Sequence, residues 1–236
     1  MSSRHRRPDE AADRPRRVPV SHRRAIVARY TRLRPVPGVA GVRLHLADDA
    51  GPVWRATEHE TGDPQAPIPF WAFAWAGGIA LARYLVDRPD EVRGRRVLDF
   101  ATGSGLVAIV AARAGAAEVL AADIDPFAEV AFERNCRAND VDVDFDREDL
   151  LDEPAPAVDV LLAADTWYEG PLAERVLPWL REAAGRGIRV LVGDPGRRYL
   201  PPAGLTPIAS YDVETTTALE DRAVVRSRVF TVDPGT

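Results

Sequence analysis

The chain has 236 residues and no lysine; all 31 of its Lys/Arg positions are arginine. We read that as a coding bias rather than as chemistry. Cysteine is almost absent too. Cys136 stands alone, so no internal disulfide can form, and the chain suits a reducing, cytoplasmic setting. The four histidines all lie at or before His59. That excludes a Ser/His/Asp arrangement over most of the chain and, with one cysteine, argues against a zinc site; no metal is expected. No apolar run approaches the ~18 residues of a membrane-spanning helix, so no membrane partner is expected. A basic field for nucleic acid is missing as well, because the net charge is -5.

With 46% apolar and 28% charged residues, the composition is that of a globular domain with a sizeable core. The charge is uneven. Residues 1–34 hold eleven arginines against Asp9, Glu10 and Asp13, a balance of +8, which leaves -13 for the remainder. Residues 1–20 mix arginine, proline and acids without apolar period and read as a disordered arm. Residues 21–69 read as an extension wrapping the main domain, with a short basic helix over 21–35 carrying Ile26, Tyr30 and Leu33. Residues 70–236 read as the main domain.

From Arg95 onward, strand and helix patterns alternate. RVLDF is a strand and SGLVAIVAARAG a helix; EVLAAD is a second strand. Asp125 and Pro126 form an N-cap and first-turn pair for the next helix. VDVDF (141–145) and the nearly all-apolar VDVLLAAD follow as strands, and then comes a helix that Pro178 should kink. IRVLVG and two further strands, without a helix between them, complete the pattern. The expectation is an α/β fold: a doubly wound, mostly parallel Rossmann-like sheet with an antiparallel edge.

The strongest local signal is Asp99-Phe-Ala-Thr-Gly103-Ser-Gly105, with Asp123 ending the next strand. Glycines let the backbone turn tightly against a ligand, the following helix offers its positive N-terminus, and Asp123 is placed for a ribose. Gly103-Ser-Gly105-Leu-Val-Ala108 also satisfies the dinucleotide pattern GxGxxA. S-adenosylmethionine is preferred over NAD on three grounds. Asp99 suits a cationic amino group and would repel a pyrophosphate. The loop begins near residue 100, too late for a second nucleotide half plus a substrate domain. The terminal strand pair breaks the βαβ series.

Trp75-Ala-Gly-Gly, LDFATGSG, AADIDP, DTWYE and GDPGR together resemble the seven-β-strand class I methyltransferases of the lysine-methylating group with a DxxY motif. The resemblance is closest to the electron-transfer-flavoprotein beta-subunit lysine methyltransferases and their bacterial relatives, over about residues 35–232. It implies a sheet order 3-2-1-4-5-7-6 with S-adenosylmethionine across the carboxyl ends of the strands. It also implies that Asp99, Ala101, Gly103 and Gly105 form the methionine-side loop and that Asp123 holds the ribose. Asp149 and Ala164 border the adenine and sulfonium sides, and Trp75 packs over the cofactor. Ala101 stands where many class I enzymes have glycine, and Ala76 and Ile79 depart from the usual WPGGQ.

The reacting end falls at DTWYE, with Asp165 and Tyr168 orienting an amine and Glu169 and Trp167 at the rim. Methyl transfer needs a neutral amine placed in line, about 3 Å from the methyl group. The implied acceptor is a protein lysine, the beta subunit of electron-transfer flavoprotein being the candidate. A small amine, nicotinamide-like or a specialised metabolite, is the alternative. Without lysine, the chain cannot methylate its own lysine side chains. Residues 121–169 carry fifteen Asp/Glu and three Arg, which either steer a cationic segment or simply solubilise the surface. For the Trp71–Trp75 cluster, core packing and cofactor contact both stand. Arg197 either contacts substrate or belongs to a tight turn.

Overall fold

The structure is a computed structural model that describes residues 18–64, 66–215 and 222–234. Most of the expected arm therefore lies outside the described residues. Helix α1 (Val20–Tyr30) opens the fold, followed by a hairpin of β1 (Arg32–Pro35) and β2 (Arg43–Leu46), helix α2 (Ala50–Thr61) and helix α3 (Ala76–Asp87). Then come β3 (Arg96–Phe100), α4 (Leu106–Arg113), β4 (Glu118–Ala122), α5 (Pro126–Ala138), β5 (Asp144–Asp146) and β6 (Val160–Ala164). Helix α6 (Gly170–Gly185) and strands β7 (Arg189–Asp194), β8 (Leu205–Glu214) and β9 (Val224–Val232) complete it.

The main sheet runs β5-β4-β3-β6-β7-β9-β8. Strands β3 to β7 are mutually parallel, and β9 is antiparallel to both β7 and β8. Counted from β3 as the first strand, that order is 3-2-1-4-5-7-6. Helices cover both faces, so the central strands are buried on both, and β6 reads as a continuous apolar run. Alternation still sorts the side chains. Val97 faces the core shared with Leu81, Leu85 and Ile109, whereas Leu98 and Phe100 face Trp167, Trp179 and Leu180 under α6. Each fully buried leucine contributes about 1.5–3 kcal/mol. No helix among the described residues is long and apolar enough to cross a membrane.

The N-terminal segment packs on the main sheet's helices rather than beside them. Val36, Val39, Val42 and Leu44 join the core of α3 and α4. Asn135 of α5 and Asn139, which caps the end of that helix, stand in for strand partners of β2. Asn139 Oδ1 accepts from Arg43 N at 3.0 Å while its Nδ2 donates to Arg43 O at 2.6 Å. Asn135 Oδ1 accepts from His45 N at 2.7 Å. Arg23 of α1, 4% exposed, donates to Pro126 O and, at 3.2 Å, to Glu129 Oε2.

Several local expectations need correction. The helix expected over 21–35 stops at Tyr30, because Thr31 turns extended and its Oγ1 donates back to Val27 O at 2.6 Å. Leu33 lies instead on β1, opposite His45. Helix α2 was not expected at all, although Asp49 caps it by accepting from Gly51 N and Gly62 ends it in the left-handed region. The strand expected over 141–145 is only Asp144–Asp146, since Val141 N is spent on Cys136 O in closing α5. The helix expected around Pro178 is present as α6, with the proline inside it and the Glu174 carbonyl left without its helical donor.

Candidate functional site

At the carboxyl end of β3 the backbone turns sharply. Ala101, Gly103 and Gly105 all take positive φ, at 54°, 52° and 82°. For Ala101 this conformation costs roughly 1–2 kcal/mol, and its side chain faces an open cavity. Gly103 has room around it, with no atom nearer than 3.8 Å to an added Cβ. Gly105 answers to packing instead: a Cβ there would stand 2.5 Å from the Phe132 ring of α5.

Two carboxylates hold this loop. Asp99 is buried, and its Oδ2 accepts from Thr102 Oγ1 at 2.5 Å and Ala108 N at 3.0 Å. Burial pushes its pKa up to about 7 despite those bonds. Asp123 follows β4; its Oδ2 accepts from Gly103 N at 2.8 Å and its Oδ1 from Asp125 N at 2.9 Å. Burial raises its pKa as well. Between them lies a cavity of about 400 Å³, of the size that takes a nucleotide-like ligand.

The far wall comes from α3 and the end of β6. Asp165 sits in the left-handed region at φ 55°. Its Oδ2 accepts from Gly78 N at 2.9 Å, and its Oδ1 accepts Arg197 Nε at 3.1 Å and Nη2 at 2.8 Å. The Arg197 guanidinium also lies 5.4 Å over the Trp75 ring. Trp75 donates from Nε1 to Phe70 O, and Phe70 meets Tyr168 with ring centroids 4.6 Å apart. Burial of the Tyr168 phenol, then Glu169, pushes its pKa up to about 12, so the hydroxyl keeps its proton as a donor.

Trp75, Asp99, Ala101, Gly103, Asp123, Asp149, Ala164, Asp165, Tyr168 and Glu169 all line this one cavity. Gly105 is not among its lining residues. Asp149 sits at the mouth, where it accepts from Leu151 N and pairs with Arg175 at 3.0 Å. Trp167 is a correction: it was expected at the rim but is fully buried against α6. After the left-handed turn at Asp165, Thr166 and Trp167 are both buried, Thr166 still lining the cavity with Tyr168 and Glu169 while Trp167 packs under α6. In the aromatic cluster, Trp71 stacks on Phe127 of α5 at 5.9 Å. Trp75 is the tryptophan that carries Arg197.

A family model described as ribosomal protein L11 methyltransferase (PrmA) matches residues 83–164. Over 228 residues the chain is 35% identical to the electron transfer flavoprotein beta subunit lysine methyltransferase of Xenopus laevis, covering 93% of this chain and 91% of that protein. The Rattus norvegicus protein of the same name is 36% identical over 172 residues, covering 70% of this chain and 68% of its own. The chain belongs to this family. It is an S-adenosylmethionine-dependent methyltransferase. Among solved structures, a candidate RNA methyltransferase from Pyrococcus horikoshii shares the fold, with a TM-score of 0.51 at 16% identity, covering 66% of this chain and 81% of that one.

The donor set of the cavity fits the methyl donor. Asp123 offers carboxylate lone pairs for hydroxyls, Ile124 next to it is 68% exposed and apolar, and Asp99 suits a cationic amino group. Ile124, Thr102 and Arg175 line the site without having been singled out in the sequence. For Ile124 a signal existed: an apolar residue between two acids, directly after a strand end, has no core to enter. The pairing of Arg197 with Asp165 had no such signal.

Proposed function

We propose that this enzyme methylates a lysine side chain of a protein acceptor, with the beta subunit of electron transfer flavoprotein as the candidate. The observation that carries this reading is the joining of Asp165, Tyr168, Phe70 and Trp75 to the same cavity as Asp99 and Asp123. When bound, S-adenosylmethionine supplies a methyl group already activated on a sulfonium. In this reading Asp123 holds the ribose hydroxyls, Ile124 and Asp149 border the adenine, and Ala101, Gly103 and Asp99 take the methionine end. Gly105 acts indirectly, by letting α4 close against Phe132. Ala164 would border the sulfonium side, and Trp75 would pack over the cofactor.

The protein's remaining task is placement. Asp165 accepts a hydrogen bond from the acceptor amine and Tyr168 orients it, while the aromatic wall suits the lysine stem. Glu169, Glu148 and Asp149 at the mouth favour a cationic segment over nucleic acid or an anionic membrane surface. The single cysteine agrees with work in the cytoplasm.

Incubation of the enzyme with methyl-labelled S-adenosylmethionine and a cell extract tests the reading. Label should appear on a protein band, and Asp165→Ala should lose transfer while still binding S-adenosylhomocysteine. Label confined to small molecules would replace the protein acceptor with a metabolite.

A further inference from the structure

Asp165 does not meet the cavity as a bare anion. Its pair with Arg197 is enclosed, with side chains 10% and 18% exposed, and the first turn of α3 adds the Gly78 N–H. This matters for the chemistry just proposed, on which the present inference rests. A lone carboxylate beside an amine favours the ammonium form. An ammonium has no lone pair and cannot attack a methyl group. A site that orients lysine with a carboxylate therefore needs something to offset that charge.

We propose that Arg197 is the residue that keeps the bound acceptor amine neutral, by cancelling the charge of Asp165 while leaving it a hydrogen-bond acceptor. The neutral nitrogen then forms the new N–C bond as the C–S bond breaks, with that electron pair staying on sulfur. The methylated ammonium afterwards gives a proton to water.

The surrounding groups support this balance. At the end of β7, Asp194 is fully buried, and its Oδ1 accepts from Gly196 N at 2.6 Å and Arg197 N at 2.7 Å, which fixes the backbone of Arg197. Burial, then Asp165, pushes the Asp194 pKa up to about 7, so above neutrality its carboxylate adds a second negative charge for Arg197 to offset. The first turn of α3, Ala76–Gly78, carries no ionisable side chain. Across the cavity stand Asp99, Asp123, Tyr168 and Glu169, with Glu148, Asp149 and Arg175 at the mouth.

The test is the pH dependence of kcat for Arg197→Gln and Arg197→Lys, with electron transfer flavoprotein beta subunit as acceptor. Arg197→Gln should shift the rise of kcat to higher pH by about one unit, a roughly tenfold loss near pH 7.5 that is recovered in alkali. Arg197→Lys should keep the wild-type profile. Calorimetry in buffers of different ionisation enthalpy gives a second readout on the S-adenosylhomocysteine complex at pH 8. Acceptor binding should release about one proton from wild type and distinctly less from Arg197→Gln. A uniform loss at every pH, with proton release unchanged, would make Arg197 merely structural and overturn the inference. If Arg197→Gln does not fold, Asp165→Asn carries the test, because removing one negative charge while Arg197 keeps its own must move the profile to lower pH; an unmoved profile overturns it. Wild type that transfers no label to lysine sinks the lysine reading and this inference together, whereas transfer with unmoved profiles sinks this inference alone.

Discussion

Gly77 stands where the first turn of α3 crosses β7. A Cβ there would lie 2.6 Å from Asp165 Oδ2 and 2.8 Å from its Cγ, and closer still to Gly193 O. At its neighbour Gly78, an added Cβ meets nothing nearer than 3.9 Å. Two adjacent glycines thus make opposite predictions for the same methyl group. In Gly77→Ala the helix or the carboxylate must retreat by most of an ångström. Overpacking of this kind costs about 1–3 kcal/mol, and loss of the charged hydrogen bond from Gly78 N adds about 1.5–3 kcal/mol. The gain in helix propensity offsets at most about 1 kcal/mol. The net loss is roughly 1.5–5 kcal/mol, or a fall in Tm of about 3–20 °C for a chain of this size. Gly78→Ala should melt within about 3 °C of wild type. Thermal unfolding of the two variants side by side decides the matter. Equal melting temperatures would refute the claim that this crossing sets the position of Asp165.

Trp167→Ala should cost about 3–5 kcal/mol in urea unfolding, because the ring is fully buried under α6 and leaves a cavity that α6 cannot fill; a rim residue would lose under 1 kcal/mol. Ile124→Ser should weaken S-adenosylhomocysteine binding about 5- to 30-fold by calorimetry with little change in Tm, since the side chain is 68% exposed beside Asp123. Stability of the ligand-free enzyme should fall between about pH 4 and pH 7. Asp99, Asp125 and Asp194 are each pushed by burial from 3.8 to about 7, so the folded chain holds more protons than the unfolded one across that window. Each contributes at most about 4 kcal/mol, fully present below the window and lost as pH rises through it. Asp159, which the Arg96 guanidinium holds below the usual carboxylate range, opposes this only at the acid end. A Tm that rises steadily from pH 5 to pH 8 would contradict the assignment.

The parallel half of the sheet was legible because a strand buried on both faces must be apolar throughout, as VLLAA is in β6. The glycine loop and the two aspartates were legible because a tight turn and a helix cap each demand particular residues locally. What failed depends on distance. Strands β1 and β2 read as RLRP and RLHL, with no strand signal of their own, and β2 is held by Asn135 and Asn139 some ninety residues further along. The pairing of Asp165 with Arg197 spans 32 residues and joins two motifs that each looked self-sufficient. Trp167 was misplaced because, after the left-handed turn at Asp165, it packs under α6 while its neighbours line the cavity. The Trp75-Ala-Gly-Gly signature also changes meaning. Its tryptophan faces the cavity, while Gly77 is demanded by the crossing with β7.

Arg23 gives the N-terminal segment a thermodynamic voice in the cavity. It is anchored on Pro126 O and Glu129 at the start of α5, immediately after Asp125, whose backbone N–H holds Asp123. Any ligand that needs Asp123 in place therefore favours the docked segment, and by reciprocity docking favours the ligand. A chain begun at Pro69 would lose more than a wrapping. It would take Arg43 from Asn139 and Arg23 from Pro126 O and Glu129, leaving the start of α5 to its packing against Trp71, so ligand affinity becomes a gauge of how firmly residues far upstream are seated.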